Sequence, residues 1–414
     1  MSATLAAATI VAPEGESPDS QPTESAVAPS SSSVPADTQG ELSLVYTSGG
    51  DAWLLEGEAP ARQITSMGGV YQVVISSDGQ RIVFARRGRV DLPSEIWGVN
   101  RDGSAQSQLV ASTRWNELYD PEGFLFNDLA GIDFIPGTHA LLLGTQAVPE
   151  GPGVFRYDDL LRLDADTGTL TTLLTPGQGG AFTLSPDGGT AAIVRPTSIG
   201  LVNSDGTGLR PDLVTFPMVI TYSEYQWYPK LTWSPDSRAV GAAIPSADPL
   251  AADPSGTVWR VDRESAVATA GPAISGNFFF PQFGAAALAP DLGRVAFARS
   301  GATPNTTDLF LANADGSAEG PYVSGDVGWK GWSPDSQHFV FSQDSPADLM
   351  LGSPAVASEP LASGHTLQWI GPTEFVLLSG GQGSWTLARG SIGGPLVPLA
   401  SPTGDFVAFD TTTG

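Results

Sequence analysis

Aromatic and acidic side chains occur together in three segments of the chain and carry the clearest chemistry in the sequence. Aromatic rings stack on sugars and peptides and attract cations, and carboxylates bind basic groups. These residue types predict a site for a protein or peptide partner or a small polar ligand. The candidate ligand-binding residues are Trp115, Tyr119, Asp120, Phe126, Asp128, Tyr225, Trp227, Tyr228, Phe279 and Phe283. The alternative is that these rings pack their own segments onto the fold and plug its channel.

Residue patterns typical of catalysis do not occur in the sequence. The three histidines, His139, His338 and His365, are not spaced as a metal site. The chain has no cysteine, and it contains no Gly-x-Ser-x-Gly elbow and no Walker or dinucleotide-binding motif. We therefore predict no catalytic residue and no metal ligand. Enzymatic activity stays open at this stage, although binding without catalysis is the leading hypothesis.

Two groups of carboxylates leave alternatives open. Asp158 and Asp159 are adjacent and could work as acid and base, as in glycosidases. Asp164, Asp166 and Gly168 have the spacing of a calcium loop, but the glutamate that closes an EF-hand loop is missing. A tight turn explains the second group better. We predict no cofactor, with a structural calcium ion as the alternative.

A short box of serine, proline, aspartate and glycine or serine recurs along the chain. Its clearest copies begin at Ser185, Ser234 and Ser333. Proline presets the first corner of a turn, aspartate bonds its own backbone, and glycine or serine occupies the last corner. A strand-like apolar run follows each box. The box is therefore predicted to be a hairpin turn between two strands.

Eight degenerate boxes divide the chain into repeats, and the early boxes are about 50 residues apart. They begin at Ser77, Pro136, Ser185, Ser234, Ala289, Ser333, Gly371 and Ser401. A second turn, of the kind seen at Asn203-Ser204-Asp205-Gly206, follows most boxes. One repeat is therefore predicted to contain four strands, a to d, with the box joining a to b and the second turn joining c to d.

This repeat resembles the TolB-type propeller repeat, a relative of the WD-repeat blade, from Glu41 to Phe409. The resemblance implies an all-β fold, a single β-propeller of four-stranded antiparallel blades. The segment Leu42 to Thr65 has no box before it, and little follows the box at Ser401. We therefore predict that N- and C-terminal strands share one blade and close the ring. This arrangement gives eight blades, with seven as the alternative.

The longer insertions are predicted to lie on one face of the ring. The a–b and c–d turns are short and share one face, and the b–c and d–a connections share the other. Between b and c the insertions are Arg86 to Ser94, Val148 to Val154, Pro245 to Gly256 and Gly301 to Thr307. Between d and a they are Ala111 to Ala130, Thr215 to Lys230 and Ala270 to Phe283. Binding residues usually lie on variable loops of a rigid scaffold, so we expect function on this elaborated face.

Residues 1–40 are predicted to be a disordered Ser/Pro/Ala-rich tether before a propeller domain of residues 41–414. The apolar stretch from Thr4 to Ala12 is too short to span a bilayer, and no basic residue precedes it. Such tethers commonly follow the anchor of an exported bacterial protein, and that anchor is missing here. We expect a periplasmic or cell-surface protein of the envelope, possessing a lipoprotein-like tether.

The formal net charge of −25, from 19 basic and 44 acidic residues, limits the partners. Such a surface repels nucleic acid and anionic lipid. TolB-type propellers dock a protein or peptide with one face or the channel mouth, so the resemblance implies a binding scaffold, expected to be a monomer. The alternative is a carbohydrate-active or other hydrolytic propeller that uses carboxylates at the channel mouth.

Overall fold

Tight turns divide the chain into short antiparallel strands, and all but the small β17–β18 hairpin (Ile220–Thr221 and Tyr225–Gln226) form eight successive sheets. The computed structural model describes residues 41–413, except 90, 152, 154, 222–224, 284, 304 and 305. The predicted tether of residues 1–40 lies outside the described residues. Each sheet is one blade of an eight-bladed β-propeller, so the prediction of eight blades is confirmed and the alternative of seven is wrong.

The strands of the first four blades follow the chain in order. Blade 1 takes from the N-terminal side β1 (Leu42–Ser48), β2 (Asp51–Glu56) and β3 (Arg62–Gln63). Blade 2 consists of β4 (Val70–Ile75), β5 (Arg81–Arg86), β6 (Glu95–Asn100) and β7 (Ser107–Val110). The helix α1 (Arg114–Leu118) follows it. Blade 3 consists of β8 (Phe126–Phe134), β9 (Ala140–Val148), the short β10 (Phe155–Arg156), β11 (Leu160–Asp164) and β12 (Leu170–Leu174). Blade 4 consists of β13 (Ala181–Leu184), β14 (Thr190–Arg195), β15 (Ser198–Asn203) and β16 (Arg210–Thr215).

The remaining strands complete the ring. A small hairpin, β17 (Ile220–Thr221) and β18 (Tyr225–Gln226), precedes blade 5, which consists of β19 (Leu231–Trp233), β20 (Ala239–Pro245), β21 (Ser255–Asp262) and β22 (Ala268–Ser275). A 3-10 turn at Phe280–Phe283 leads to blade 6, with β23 (Arg294–Ser300), β24 (Thr307–Asn313) and β25 (Gly320–Val323). Blade 7 consists of β26 (Val327–Trp332), β27 (Phe339–Gln343), β28 (Asp348–Ser353) and β29 (Val356–Ser363). Blade 8 consists of β30 (Thr366–Trp369), β31 (Glu374–Gly381), β32 (Ser384–Ser391) and β33 (Val397–Ala400), and β34 (Phe409–Thr413) returns to blade 1.

The Ser-Pro-Asp box is a self-contained hydrogen-bonded turn. In the blade 4 copy, the Ser185 hydroxyl donates to the Asp187 carboxylate at 2.6 Å, and the backbone N–H of Thr190 donates back to the Ser185 hydroxyl at 3.0 Å. Equivalent hydroxyl–carboxylate bonds of 2.6 to 2.7 Å occur at Ser76, Ser234 and Ser333. Since all partners lie within five residues, the sequence alone is enough to build the turn.

Serine at the fourth position of the box has a reason beyond the turn itself. Ser237 and Ser336 adopt φ of 60° and 62°, a conformation that normally favours glycine. Their hydroxyls accept hydrogen bonds from the backbone of the preceding blade, from Asp187 N at 3.0 Å and Asp291 N at 2.8 Å. These bonds between blades offset the backbone strain that the serines carry.

The two ends of the described chain meet in one blade, as predicted. Strand β34 pairs with β1 in antiparallel register from Tyr46–Phe409 to Leu42–Thr413. The C-terminal strand thus supplies the first, innermost strand of blade 1, and the N-terminal strands supply the other three. This closure leaves neither terminal strand as a free sheet edge, which is the usual way in which propellers avoid open edges.

The strand order defines two faces of the ring. The a–b and c–d turns lie on what we call the short-turn face, and the b–c and d–a connections lie on the long-loop face. Two predicted insertions are shorter than expected, because strands extend into them. In blade 3, Phe126 and Asp128 already belong to β8 and pair with Val148 and Gln146 of the nine-residue β9. The predicted d–a insertion after blade 5 likewise begins later, since β22 continues to Ser275.

Apolar side chains fill the spaces between neighbouring blades. One core cluster includes Val83 and Ile96 of blade 2 together with Leu141 and Leu161 of blade 3. Trp233 and Trp332 are buried and donate their indole N–H to carbonyl oxygens of Thr183 and Ala287 in the preceding blades. No helix among the described residues has both the length and the apolar character needed to cross a bilayer.

Candidate functional site

The predicted site residues fall into two groups on the long-loop face. Trp115, Tyr119, Asp120, Phe126 and Asp128 surround α1 and the start of β8, next to blade 3. Trp227, Tyr228 and Phe279 precede blades 5 and 6. Tyr225 lies in β18 and Phe283 in the 3-10 turn, but their side chains lie outside the described part of the chain.

Asp128 is a buried anchor of the first group. Its side chain is fully inaccessible to solvent, yet one carboxylate oxygen accepts the backbone N–H of Ser94 at 2.9 Å and the other contacts the Arg87 guanidinium at 2.5 Å. A buried carboxylate is tolerated when it is paired and hydrogen-bonded in this way. Asp128 therefore holds the b–c loop of blade 2 against the first strand of blade 3.

Trp115 is buried beside this anchor. Its indole N–H donates to the Ser94 carbonyl at 2.7 Å, and no part of its side chain reaches solvent. Trp227 and Phe279 are also buried, and their rings lie 5.8 Å apart. These three aromatic residues pack the long loops onto the ring, which is the alternative role that the sequence left open for them.

Asn127 organises the polar contacts around α1. Its side-chain amide donates to the carbonyl of Tyr119 at 2.6 Å and accepts the Tyr157 hydroxyl at 2.7 Å. The rings of Tyr119 and Tyr157 lie 4.7 Å apart. Asn127 is fully buried, so these contacts fix the d–a loop relative to the b–c loop of blade 3. Asn127 and Tyr157 were not among the predicted site residues, because their partners lie 8 to 30 residues away along the chain.

The hydroxyl of Tyr119 is shielded from solvent and has no hydrogen-bond partner among the described residues. Burial raises the pKa of Tyr119, and the charge of the Asp159 carboxylate raises it further. Asp159 is close enough to act electrostatically, but it is already engaged by the backbone N–H and the hydroxyl of Thr145 at 2.9 and 2.7 Å. Tyr119, Asp120 and Phe126 keep accessible surface, and their role in ligand binding stays a prediction.

Tyr228 connects the two groups. Its hydroxyl donates to the carboxylate of Asp158 at 3.1 Å, across 70 residues of sequence, and the Arg156 guanidinium lies over its ring at 5.3 Å. Asp158 has a strained φ of 49°. Burial raises the pKa of Asp158 to about 6, although Tyr228 and two arginines oppose the rise.

A second pair of carboxylates lines a cavity of about 370 Å³ inside the ring. The cavity is bordered by the first strands of four blades, including Gln72, Asp133, Gln368 and Asp410. The pKa of Asp133 is raised to about 6, first by the surrounding protein, which removes most of the water around the carboxylate, and then by the charge of Asp410. The side chain of Asp133 is nevertheless accessible from the cavity. The pKa of Asp410 is raised as well, mainly by burial.

Asp410 is heavily hydrogen-bonded, unlike Asp133. It accepts the backbone N–H groups of Ile75 at 3.0 Å and Thr411 at 2.8 Å, and the Gln368 amide at 3.3 Å. These bonds tie the last strand of the chain to blades 2 and 8. The repeat pattern gave no sign of this pair, because the two aspartates are 277 residues apart and meet only when the ring closes.

His139 bridges two blades on the short-turn face. One ring nitrogen lies 3.0 Å from the Asp166 carboxylate and the other lies 3.1 Å from that of Asp78. Asp166 belongs to the turn whose spacing resembles that of a calcium loop. The Asp164 carboxylate there accepts the backbone N–H groups of Asp166 and Thr167, as in a tight turn. Among the described residues, no group of three or more acidic or histidine side chains is arranged to hold a metal ion.

A cleft of about 840 Å³ also lies on the short-turn face, between blades 4 and 5. Its wall includes Arg210, Arg238 and Arg263 together with Asp262 and Glu264. Arg263 makes an ion pair with the box residue Asp187 of blade 4. Basic and acidic side chains are therefore mixed in the wall of this cleft, and Arg263 among them makes a contact between two blades.

Comparison with known proteins supports the fold only. No family model and no curated protein matches the chain. A eukaryotic initiation factor structure is 10% identical, with a TM-score of 0.50 over 89% of this chain and 98% of that chain. An oligogalacturonate lyase in complex with manganese is 17% identical (TM-score 0.45; 73% and 81% covered). TolB from Acinetobacter baumannii is 13% identical (TM-score 0.38; 80% and 83% covered). At such identities the TolB-type repeat assignment stays a prediction.

Proposed function

We propose that this protein is a non-enzymatic, TolB-like propeller that binds a protein or peptide partner on its long-loop face. The carrying observation is the distribution of exposed apolar side chains. Six of the ten large apolar residues that are exposed among the described residues lie on this face: Leu92, Leu125, Phe155, Met218, Leu250 and Phe406. Exposed apolar surface held on a rigid frame is typical of interaction sites. The other four lie at c–d turns on the rim of the opposite face.

The buried polar contacts of the long loops support the same proposal. Asp128, Trp115 and Asn127 hold these loops in one arrangement, so a partner would not need to order them. A preformed surface binds with a smaller entropy cost than a flexible one. For location we propose the bacterial envelope, on the basis of the tether-like composition of residues 13–40.

A crosslinking experiment tests which face binds. A photo-crosslinking amino acid is placed at Leu250, which is 69% exposed on the long-loop face, or at Val356, which is 65% exposed on the short-turn face. We expect one specific adduct from Leu250, Met218 or Leu125 in the envelope fraction, and none from Val356. The identified partner is then purified, and its binding is measured directly. Adducts and affinity that depend only on the Val356 face would contradict the proposal.

A hydrolytic propeller is the second candidate, and the paired Asp133 and Asp410 carboxylates favour it. Carboxylates with raised pKa values inside a cavity can serve as acid and base. However, three donors already occupy Asp410, which leaves it poorly placed to act on a substrate. Turnover across glycoside and peptide substrates that is lost in both Asp133→Asn and Asp410→Asn would establish this candidate in place of the first.

A further inference from the structure

Two loops of blade 3 together form an apolar surface, which we call the blade-3 corner: residues 119–125 of the d–a loop, and residues 148–151, 153 and 155–157 of the b–c loop. The backbone N–H of Leu125 donates to the Val148 carbonyl at 2.8 Å, and the rings of Phe124 and Phe155 lie 5.2 Å apart. Leu125 is nevertheless 58% exposed and Phe155 is 38% exposed. Within the described residues, nothing covers this surface.

The buried side chain of Asn127 connects the two loops of the blade-3 corner. Asn127, in the first strand of blade 3, accepts the Tyr157 hydroxyl from one loop and donates to the Tyr119 carbonyl of the other. Its own backbone N–H donates to the side chain of Asn116 at 2.9 Å. Both loops therefore share one buried anchor, and their exposed side chains keep fixed relative positions.

The charges around the corner are negative and largely unpaired. Asp120, Glu122 and Glu150 are exposed, and none of them forms an ion pair within the part of the chain that the structure describes. Arg156 in these segments and Arg114 shortly before them in the chain are already engaged. Arg114 pairs with Glu117 at 3.0 Å, and Arg156 lies over the ring of Tyr228. The corner thus combines apolar surface with carboxylates that lack a basic counterpart.

We propose that the blade-3 corner docks a basic peptide segment that carries an apolar side chain next to lysine or arginine. The apolar side chain would cover Leu125 and Phe155, and the cations would meet Asp120, Glu122 and Glu150. The exposed ring of Phe155 would add a cation–π contact. An acidic occupant, including a second copy of this chain at net charge −25, would be repelled by the same carboxylates. This inference rests on the proposed binding function and specifies its chemistry.

Three synthetic peptides of equal length test the occupant, with binding to the full chain measured by fluorescence anisotropy. The first mixes lysine and arginine with leucine, the second replaces the basic residues with glutamate, and the third replaces leucine with serine. We expect the first to bind at least about tenfold more tightly than either of the others, because only it satisfies both features of the corner. Raising the salt concentration should weaken its binding without abolishing it.

Matched variants test whether the peptide binds at the blade-3 corner. Leu125→Asp and Glu122→Lys are each expected to weaken the first peptide by about tenfold. The controls are Val356→Asp and Glu58→Lys, which alter exposed residues on the short-turn face and should leave its affinity unchanged. Melting temperatures of all four variants check that the fold is intact. Phe155→Ala provides a second test if Leu125→Asp lowers the melting temperature.

Three outcomes would overturn this inference. These are equal affinity for the glutamate peptide, equal weakening by the control substitutions, or binding of lipid vesicles in preference to the peptide. If the native partner still crosslinks from Leu250 while Leu125→Asp leaves it unaffected, only the blade-3 corner is wrong. If no partner engages the long-loop face at all, the proposed function fails as well.

Discussion

Aspartate side chains make different kinds of contact on the two faces of the ring. On the short-turn face, the Asp187 carboxylate accepts the hydroxyl of Ser185 and the backbone N–H of Gly189, each two residues away. On the long-loop face, Asp128 contacts Ser94 and Arg87, which are 34 and 41 residues away. The turns of the first face are therefore built by local contacts that repeat, with pairs such as Arg263–Asp187 added between blades, whereas the loops of the second face are held by long-range contacts that do not repeat. Because its contacts do not repeat from blade to blade, the long-loop face is the surface on which we expect a specific partner to bind.

The largest expected effect comes from removing the buried aromatic anchor of the long-loop face. Trp115→Ala empties a fully enclosed site and leaves the Ser94 carbonyl without its donor, so we expect a loss of about 3–5 kcal/mol in unfolding free energy. Chemical denaturation measures this loss. Trp332→Ala, near the short-turn face, should also destabilise the ring but leave the basic peptide's affinity unchanged. A loss below about 1 kcal/mol for Trp115→Ala would mean that the long loops contribute little to the fold.

The next effect concerns the carboxylate anchor. Asp128→Ala leaves the Ser94 N–H and the Arg87 guanidinium without a partner, which should cost about 2–3 kcal/mol of unfolding free energy. The matched change on the other face is Asp187→Ala, where water can replace the lost bonds because the side chain is half exposed. We expect the Asp187 substitution to be clearly milder. Equal losses measured by urea denaturation would remove the contrast between the faces.

A smaller effect is expected in the channel between the faces. Because the pKa of Asp133 rises from 3.8 to about 6 on folding, the folded state holds this proton more tightly. The stabilisation that protonation provides is present at low pH and is lost as the pH rises through about 6. Asp133→Asn should therefore raise stability at pH 8 by roughly 1 kcal/mol, after allowance for the accessible cavity.

Thermal unfolding from about pH 4 to pH 8 tests this prediction, since the difference between Asp133→Asn and the unmodified protein should vanish at the acid end. The charged group that lines this cavity with Asp133 is Asp410, and the polar side chains are those of Gln72, Thr366 and Gln368. A variant that is less stable at pH 8 would show that the Asp133 carboxylate has a stabilising partner instead.

The smallest effect belongs to the short-turn face. Burial lowers the pKa of His139, but hydrogen bonds and charges from Asp166 and Asp78 outweigh it and raise the pKa above its ordinary value of 6.5. The protonated ring therefore stabilises the contact between blades 2 and 3 below about pH 6.5, and this stabilisation is lost as the pH rises through the folded-state pKa. His139→Gln should cost less than about 1 kcal/mol at pH 5.5 and nothing at pH 9.

Thermal melts of His139→Gln at these two pH values measure the difference. His338→Gln is the matched control, because His338 occupies the equivalent position before the second strand of blade 7 but forms no ion pair within the described residues. If both variants showed the same pH dependence, the bridge between Asp78 and Asp166 would not be its source.

The sequence by itself determined the repeat, seven of the eight hairpin boxes, the eight blades and the shared terminal blade. Each rests on contacts between residues that are a few positions apart or on the phase of the boxes, and both can be read along the chain. The prediction was wrong for the box at Ser401, which lies in the d–a connection between β33 and β34. The aromatic residues of the insertions were also visible in the sequence. Their division into buried packing residues, such as Trp115 and Trp227, and partly accessible ones, such as Tyr119 and Phe126, was not.

Only the tertiary structure decided where the polar groups meet. Asp128 reaches Arg87, Tyr228 reaches Asp158, and Asp133 approaches Asp410 because closure of the ring places distant segments side by side. No periodic pattern encodes such contacts, since each occurs once in the molecule. The candidate binding surface has the same origin: the exposure of Leu125 and Phe155 follows from how two separate loops pack over one buried asparagine.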